Sequence, residues 1–575
     1  MKNQELAQIF ADIAELLEIK GENPFKVRAY QKVVPVLQSL TESIEEIYQR
    51  GELTSIPGIG KGIAEKIEEY LTSGKLKYYQ ELKESVPKGV VSLVTIPEVG
   101  PKTAIALYNK LGITSIDELE KAAREHKIRG LPGMGEKTEE NILRGIELVR
   151  RRGTRMMLGN ALPLAKEIVE TLQKLKDVDR ISLAGSLRRM KETVGDIDIL
   201  VTSHNSTRVM EVFTHLPLVR QILAAGDTKS SVILEQGIQV DLRVVEPECF
   251  GAALHYFTGS KDHNIRIREL AVKKGLKVNE YGIFRTRDDK RIGGAEEVEV
   301  FQMVDLPYIP PELRENTGEV EVAQKGNLPC LLELSMIKGD LHVHTKWSDG
   351  LHTLEEMVEE AKKMGYRFLA VTDHSQSLKV ARGVSLENLN KHLDEIARLN
   401  TQYRPFCILT GAEVDIRSNG TLDYPDEILA RLDVVIGAIH TNFKQDEAVM
   451  TERIITAMKN KYVNIIAHPT GRLLSGRDPY QVNIEKILKA AAETETFLEI
   501  NAYPERLDLR DVHVRRGKDL GVKITLGTDA HNKMQLHYMN FGVATARRGW
   551  MEKKDVLNTG EVEEILSLLW HKRQN

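Results

Sequence analysis

Cysteine is nearly absent. Among 575 residues there are three, Cys249, Cys330 and Cys407, isolated from one another and forming no CxxC pair, which argues against a disulfide framework and for a reducing cytoplasm. Long apolar runs are missing too. No uncharged stretch could span a bilayer, and the opening Met-Lys-Asn-Gln-Glu has no apolar run of signal-peptide kind behind it, so no membrane partner is expected and the location is read as cytoplasmic. Nor does one sign of charge dominate: Lys+Arg number 80 against Asp+Glu 84. That balance does not announce nucleic acid, but it does not exclude it, because clustered carboxylates can offset basic surfaces elsewhere. What the chain does have is length. It is too long for one core, and three or four domains are expected. The 41% hydrophobic and 29% charged content fits a soluble globular protein.

The chemistry is densest at residues 185–198, which read Gly185-Ser186-Leu187-Arg188-Arg189, then Glu192, then Gly195-Asp196-Ile197-Asp198. Alternation along Ile197–Val201 puts Asp196 and Asp198 on one strand face and Ile197 and Ile199 on the other. Two carboxylates that close are costly unless a divalent cation neutralises them. Asp241, in Val240-Asp241-Leu242-Arg243-Val244, supplies a third acid on another short strand. In a two-metal site the ions sit about 4 Å apart and stabilise both the attacking and the leaving oxygen of a phosphoryl displacement. A bare Asp-x-Asp is usually a solvated pair; the Gly-Ser corner and the later strand acid change that reading. The stretch resembles the palm of the nucleotidyltransferase superfamily and, within it, the DNA polymerase X family. The resemblance implies that Asp196 and Asp198 bind both metals (Mg2+ or Mn2+) and that Asp241 acts with them on the primer 3′-hydroxyl. It gives Gly185, Ser186, Arg189 and Gly195 the triphosphate of an incoming dNTP.

Before the palm, residues 1–85 and 86–152 read as two helical domains. Helical spacing of apolar residues predicts helices over Gln4–Leu17 and Tyr30–Leu40. A motif then recurs three times: Pro57-Gly58-Ile59-Gly60-Lys61, Pro97-Glu98-Val99-Gly100-Pro101-Lys102 and Pro132-Gly133-Met134-Gly135-Glu136-Lys137. They run into predicted helices over Ile63–Tyr70, Thr103–Leu111 and Thr138–Val149. Glycine lets backbone amides approach closely, and a helix N-terminus attracts anions. The pattern resembles the helix-hairpin-helix, which grips a DNA phosphate without reading bases. Gly58, Gly60, Lys61, Gly100, Lys102, Gly133, Gly135 and Lys137 are the expected contacts, with Glu98 departing where the other copies have Gly. Gly62-Ile63-Ala64-Glu65-Lys66-Ile67 further resembles the lyase segment of DNA polymerase beta. That resemblance implies Schiff-base chemistry on an abasic sugar by Lys66, with Lys26 and Tyr30 near a 5′-phosphate.

The palm is placed at 153–247, opened by the basic run Arg150-Arg151-Arg152 and Arg155, and a nucleotide-selecting lobe at 248–317. The residues of the lobe read as a helix, a turn and a second helix. Tyr256-Phe257-Thr258-Gly259-Ser260 resembles the Tyr-Phe-x-Gly-Ser turn of the same family. By that match Tyr256, Phe257 and Gly259 border the sugar and discourage a 2′-hydroxyl, Asn264 meets the minor-groove edge of the incoming base, and Arg268 meets the template strand. Gln239 departs from the arginine that the vertebrate enzyme has beside its third aspartate. Residues 318–335, polar and without clear period, read as a linker.

From 336 to 575 seven short apolar strands alternate with helical segments: Ile337–Val343, Phe368–Thr372, Cys407–Gly411, Val434–Ile439, Val463–Ala467, Phe497–Ile500 and Lys523–Leu526. Repeated βα units imply a parallel sheet, and polar strand C-termini are where a βα barrel builds its site. Histidine or carboxylate ends nearly every strand, and imidazole plus carboxylate without thiolate favours zinc, manganese or iron over calcium. Asp-Leu-His-Val-His-Thr, Thr-Asp-His, Ala-His-Pro and Gly-Thr-Asp-Ala-His resemble the PHP (polymerase and histidinol phosphatase) domain. All nine usual ligand positions are filled, by His342, His344, Asp349, His374, Glu413, His440, His468, Asp529 and His531. The resemblance implies three divalent ions (Mn2+ or Zn2+) and phosphoester hydrolysis.

The expected architecture is therefore multidomain α/β: all-α helix-hairpin-helix domains, a polymerase beta-like palm and a distorted seven-unit PHP barrel. The combination resembles bacterial or archaeal DNA polymerase X. It implies a monomer that binds gapped or primer-template DNA and dNTPs, fills short gaps in base excision repair, and carries a 3′→5′ exonuclease that also processes abasic sites. Two other classes stay open on sequence: a nucleotidyltransferase acting on RNA or a small molecule with a barrel phosphatase, and a binding protein with vestigial catalysis.

Overall fold

A computed structural model describes all residues except 1, 21, 40–43, 57, 87, 95, 97–98, 153–154, 475 and 575. The side chains of Lys102 and of 150–152 also lie outside the described residues, as does Glu98. The chain forms two compact units, Met1–Gly153 and Thr154–Asn575.

The first unit is helical. In the described parts of its three recurring motifs the Ile59, Val99 and Met134 amides donate to the carbonyls of Ile56, Ile96 and Leu131, each at 3.0 Å. The following helices span Lys61–Ser73, Pro101–Leu111 and Glu136–Arg152. Gly58 and Gly133 take left-handed backbone, φ +92° and +79°, which explains glycine there. The second helix begins at Pro24, six positions before the expected Tyr30. Asn23 accepts from the Phe25 amide at 2.9 Å, and a proline in the first turn has no amide to lose. One core runs from Leu6 and Phe10 through Ile67 to Leu107 and Ile142, so residues on both sides of the expected 85/86 boundary share it rather than forming two cores.

The second unit opens with a five-stranded sheet in the order Val178–Leu183, Asp196–Ser203, Gln239–Val244, Lys229–Leu234, Val219–Ala225. Its second and third strands are parallel, with Asp198 in register with Asp241 and Asp196 with Gln239. Helices Phe250–Thr258 and Lys261–Lys273 follow, then a small antiparallel sheet over 276–293 that the sequence reading did not include. The expected linker is also corrected. Glu319–Gln324 is a helix whose Val320 and Ala323 pack in the core of the lobe with Phe301. Glu319 is buried, accepting from the Asn316 and Thr317 amides at 2.9 and 2.7 Å. The polar composition was misleading because those polar groups are satisfied internally.

Seven parallel strands follow in strict chain order. A bridge between Val343 and Ala530 brings the last strand back to the first, and the Asp529 amide donates to the His342 carbonyl at 2.9 Å. The third strand, Cys407–Asp415, is longer than expected and carries Glu413 and Asp415, while the fifth shrinks to Ile465–Ile466. Barrel and palm are not merely tethered: Leu507 and Phe541 belong to the palm's hydrophobic core, and a Cβ on Gly159 would collide with Pro504. No helix among the described residues is long and apolar enough to cross a membrane, and the three cysteines are free.

Candidate functional site

The palm site is built where two parallel strands present acids side by side. Ile197 and Ile199 are buried in the core, which turns Asp196 and Asp198 to the opposite face as the alternation requires. Gly185 is left-handed at φ +63°, and a Cβ there would strike the Asp198 carboxylate, so the Gly-Ser corner exists to let the backbone approach the acid. Burial, followed by the neighbouring Asp196 and Asp241 carboxylates, pushes Asp198 up to about 7, against the opposing pull of Arg243 and Lys229. A raised carboxyl among like charges is what a divalent cation relieves, so the residues fit one. Asp241 is buried; Gln239 Nε2 donates to it at 2.8 Å and Lys229 Nζ lies 3.9 Å away. An amide thus contacts Asp241 at the position where the sequence departs from the arginine of the vertebrate enzyme.

Arg189 Nε donates to Glu315 at 3.0 Å and Nη1 to the Thr258 carbonyl at 2.5 Å, which ties the Gly-Ser loop to the Tyr-Phe-Thr-Gly-Ser turn. Tyr256 and Phe257 are half-buried and meet edge to face, 5.1 Å between centroids. Asn264 Nδ2 donates to the Tyr256 carbonyl at 2.7 Å, and its buried Oδ1 has no partner. Arg268 is exposed one turn further on.

In the helical unit a cleft of about 600 Å³ is lined by Phe25, Arg28, Tyr30, Gly60, Lys61 and Lys66. Lys66 and Lys26 ammonium groups sit 5.1 and 5.6 Å from the centre of the Tyr78 ring, and Tyr30 stacks on the same ring at 6.3 Å. Lys26, Tyr30 and Lys66 thus gather around one ring, that of Tyr78, an aromatic platform under both amines that was not singled out from sequence.

At the barrel mouth the expected histidines and acids converge. Among the described residues three groups have ligand atoms within 4.8 Å of one another: His344, Asp349, His374 and His531; His342, His344 and Asp529; His374, Glu413 and His440. The ninth expected ligand, His468, reaches Glu413 at 2.9 Å. His342 Nε2 and His344 Nε2 face each other at 3.1 Å. His374 Nδ1 lies 2.8 Å from Glu413 Oε2, yet neither atom has a hydrogen-bond partner, nor has His344 Nδ1. Buried nitrogens and oxygens that face one another around one space without hydrogen-bonding fit a cluster of cations. Burial, then His531 and His374, lower His344 to about 4; burial, then Arg506, lower His468 to about 4. Both are thereby neutral imidazoles with a lone pair to give. Burial would also lower His440, but Glu413 and Asp415 overcome it and bring it to about 9.

Two buried acids orient these imidazoles and were not singled out from sequence. Glu499 accepts from His342 Nδ1 at 2.6 Å and from the His468 amide at 2.8 Å, and Asp415 contacts His440 Nδ1 at 2.6 Å. Carboxylates behind ligating imidazoles fix ring orientation and basicity. The available signal was a lone acid inside the apolar run Phe-Leu-Glu-Ile-Asn.

Comparison with known proteins agrees with this geometry. The sequence matches the helix-hairpin-helix domain over residues 1–76, the SAM-like helix-hairpin-helix tandem over 90–147, the DNA polymerase beta palm over 160–245, the DNA polymerase beta thumb over 253–315 and the PHP domain over 340–503. It is 42% identical over 571 residues to the DNA polymerase/3′-5′ exonuclease PolX of Bacillus subtilis (strain 168), covering 99% of each chain. A protein of Thermoanaerobacter sp. (strain X514) named "Probable phosphatase" is 32% identical over 240 residues, 40% of this chain and 93% of that one. DNA polymerase lambda of Rattus norvegicus is 26% identical over 344 residues, 54% of this chain and 56% of that one.

Proposed function

The chain belongs to the DNA polymerase X family, and from that premise we propose that it fills short gaps in DNA from dNTPs during base excision repair, as a cytoplasmic monomer, and removes 3′-terminal nucleotides with its barrel. The observation that carries the reading is the presence, in one chain, of Asp198 in register with Asp241 and of the converging barrel ligands. Asp196, Asp198 and Asp241 would hold Mg2+ or Mn2+ in the palm, and His342, His344, Asp349, His374, Glu413, His440, His468, Asp529 and His531 three Mn2+ or Zn2+ ions in the barrel. When bound, such ions neutralise charge developing on attacking and leaving oxygens.

The protein's own groups do the rest. Gly185, Ser186, Arg189 and Gly195 hold the triphosphate in line with the primer 3′-oxygen, which attacks the α-phosphorus and releases pyrophosphate. Asp241, oriented by Gln239, faces the 3′-hydroxyl. Tyr256 and Phe257 crowd the sugar against a 2′-hydroxyl, which speaks against an RNA-building reading. Glu499 and Asp415 keep His342 and His440 oriented, so the barrel meets its phosphodiester without reorganising.

A 5′-labelled primer in a short gap, incubated with manganese, tests both activities. Extension with dNTPs and shortening without them is the expected result. Extension alone would remove the exonuclease assignment, and neither would remove both.

The lyase reading makes a separate prediction. Borohydride is expected to trap the protein covalently on DNA bearing a 5′-deoxyribose phosphate, and Lys66→Ala to lose the adduct. Trapping that persists undiminished in the variant would take Lys66 out of the mechanism.

A further inference from the structure

The loop that carries Arg189 is held from outside the palm. Arg548, on the barrel helix Met539–Arg548, donates from Nη1 to the Arg189 carbonyl at 2.8 Å and to Glu315 Oε1 at 3.0 Å. Its Nε donates to Asp511 at 2.8 Å, which anchors the guanidinium to the barrel. Glu315 Oε1 is the same oxygen that accepts from Arg189 Nε at 3.0 Å. A few residues along the loop, Glu192 accepts from the barrel's Arg472 at 2.8 Å and lies 3.7 Å from Arg510. The side chains of Arg548, Arg189 and Glu315 are 6, 12 and 19% exposed, so these contacts are little screened by solvent.

The sharing of one carboxylate by two guanidiniums has an electrostatic consequence. Arg189, Arg548 and Lys191, whose Nζ lies 3.9 Å from the same Glu315 oxygen, set three positive charges against the two of Glu315 and Asp511, so the cluster keeps net positive character toward an anionic ligand. Without Arg548, the charge of Glu315 would fall on Arg189 and the more distant Lys191, and a triphosphate would have to compete with Glu315 for Arg189. We propose that Arg548, a residue of the PHP barrel, is a positioning residue for polymerase chemistry: it draws off Glu315 and fixes the Arg189 backbone so that Arg189 is available to the dNTP triphosphate. This rests on the reading of Arg189 as a triphosphate ligand.

The test measures steady-state dNTP insertion into a gap and 3′→5′ hydrolysis by the full chain. Arg548→Met, which keeps length but not charge, is expected to raise the KM for dNTP roughly tenfold, the size of one lost charge-assisted contact. It should change kcat little and leave hydrolysis unchanged, and Arg548→Lys should restore most of the loss. Adding Glu315→Gln to Arg548→Met should bring KM back down, and Glu315→Gln alone should lower it below wild type. A merely structural role predicts neither. An unchanged KM in Arg548→Met overturns the proposal, as does a raised KM that Glu315→Gln fails to relieve. If Arg548→Met loses both activities through misfolding, Glu315→Gln alone decides, and a KM that it does not lower overturns the proposal. Arg189→Ala separates the two readings: if it leaves KM unchanged, the triphosphate assignment has failed; if it raises KM while Arg548→Met does not, only the role of Arg548 has.

Discussion

Asp198→Ala is expected to abolish DNA synthesis, by roughly 10³-fold or more, and to leave 3′→5′ hydrolysis unchanged. The size follows from what a two-metal clamp supplies, several kcal/mol of transition-state stabilisation at about tenfold per 1.36 kcal/mol. The selectivity follows from location, because the charged groups that act on Asp198 are Asp196, Asp241, Arg243 and Lys229, all of the palm. The same carboxyl makes synthesis sensitive to pH. Burial first, then its two acidic neighbours, raise it to about 7, and a proton on it competes with a cation. At limiting magnesium, synthesis should therefore rise as pH increases through about 7, and saturating metal should move that rise to lower pH. Stability has the opposite sign: with a raised folded value the folded state binds the extra proton between about 4 and 7, so the cation-free palm loses stability across that window as pH rises. Primer extension at two magnesium concentrations and several pH values reads the first effect. An extension profile that is flat through pH 7 at low magnesium would sink the assignment of Asp198 as the titrating ligand.

His344→Ala is expected to do the reverse, with hydrolysis lost by roughly 10³-fold or more and gap filling retained. His344, like His374, belongs to two of the three convergent groups, so its removal would weaken two candidate cation positions together. It is fully buried, and its neighbours His342, Asp349, Asp529 and His531 are all of the barrel. Bound-metal content measured on the purified variant should fall as hydrolysis falls. Loss of both activities in either the Asp198 or the His344 variant would show that the two sites are not separable. Full metal content with hydrolysis lost would assign His344 a role other than ligation.

The candidate site residues that the structure brings together could be picked out in the sequence for a chemical reason. A cation needs particular donor atoms, and strand alternation puts Asp196 with Asp198, and His342 with His344, on one face without any knowledge of the rest of the fold. The glycine turns were legible on similar grounds, since only glycine takes the left-handed backbone at Gly58 and Gly133 without strain. Composition misled at residues 318–335, where a polar stretch hides a packed helix, and at Pro24, where an Asn-Pro start extends a helix that periodicity alone begins later.

What the sequence by itself determined was which acids, imidazoles and glycines exist and on which strand or helix end each sits, because those choices are local. The tertiary structure alone decided which of them meet. Only the parallel register sets Asp241 opposite Asp198, only burial among like charges raises Asp198, and only barrel closure brings Glu499 behind His342. The contact of Arg548 with Arg189 joins residues 359 positions apart; no local pattern encodes it, since two arginines and one glutamate acquire their meaning when the fold makes them share a single oxygen.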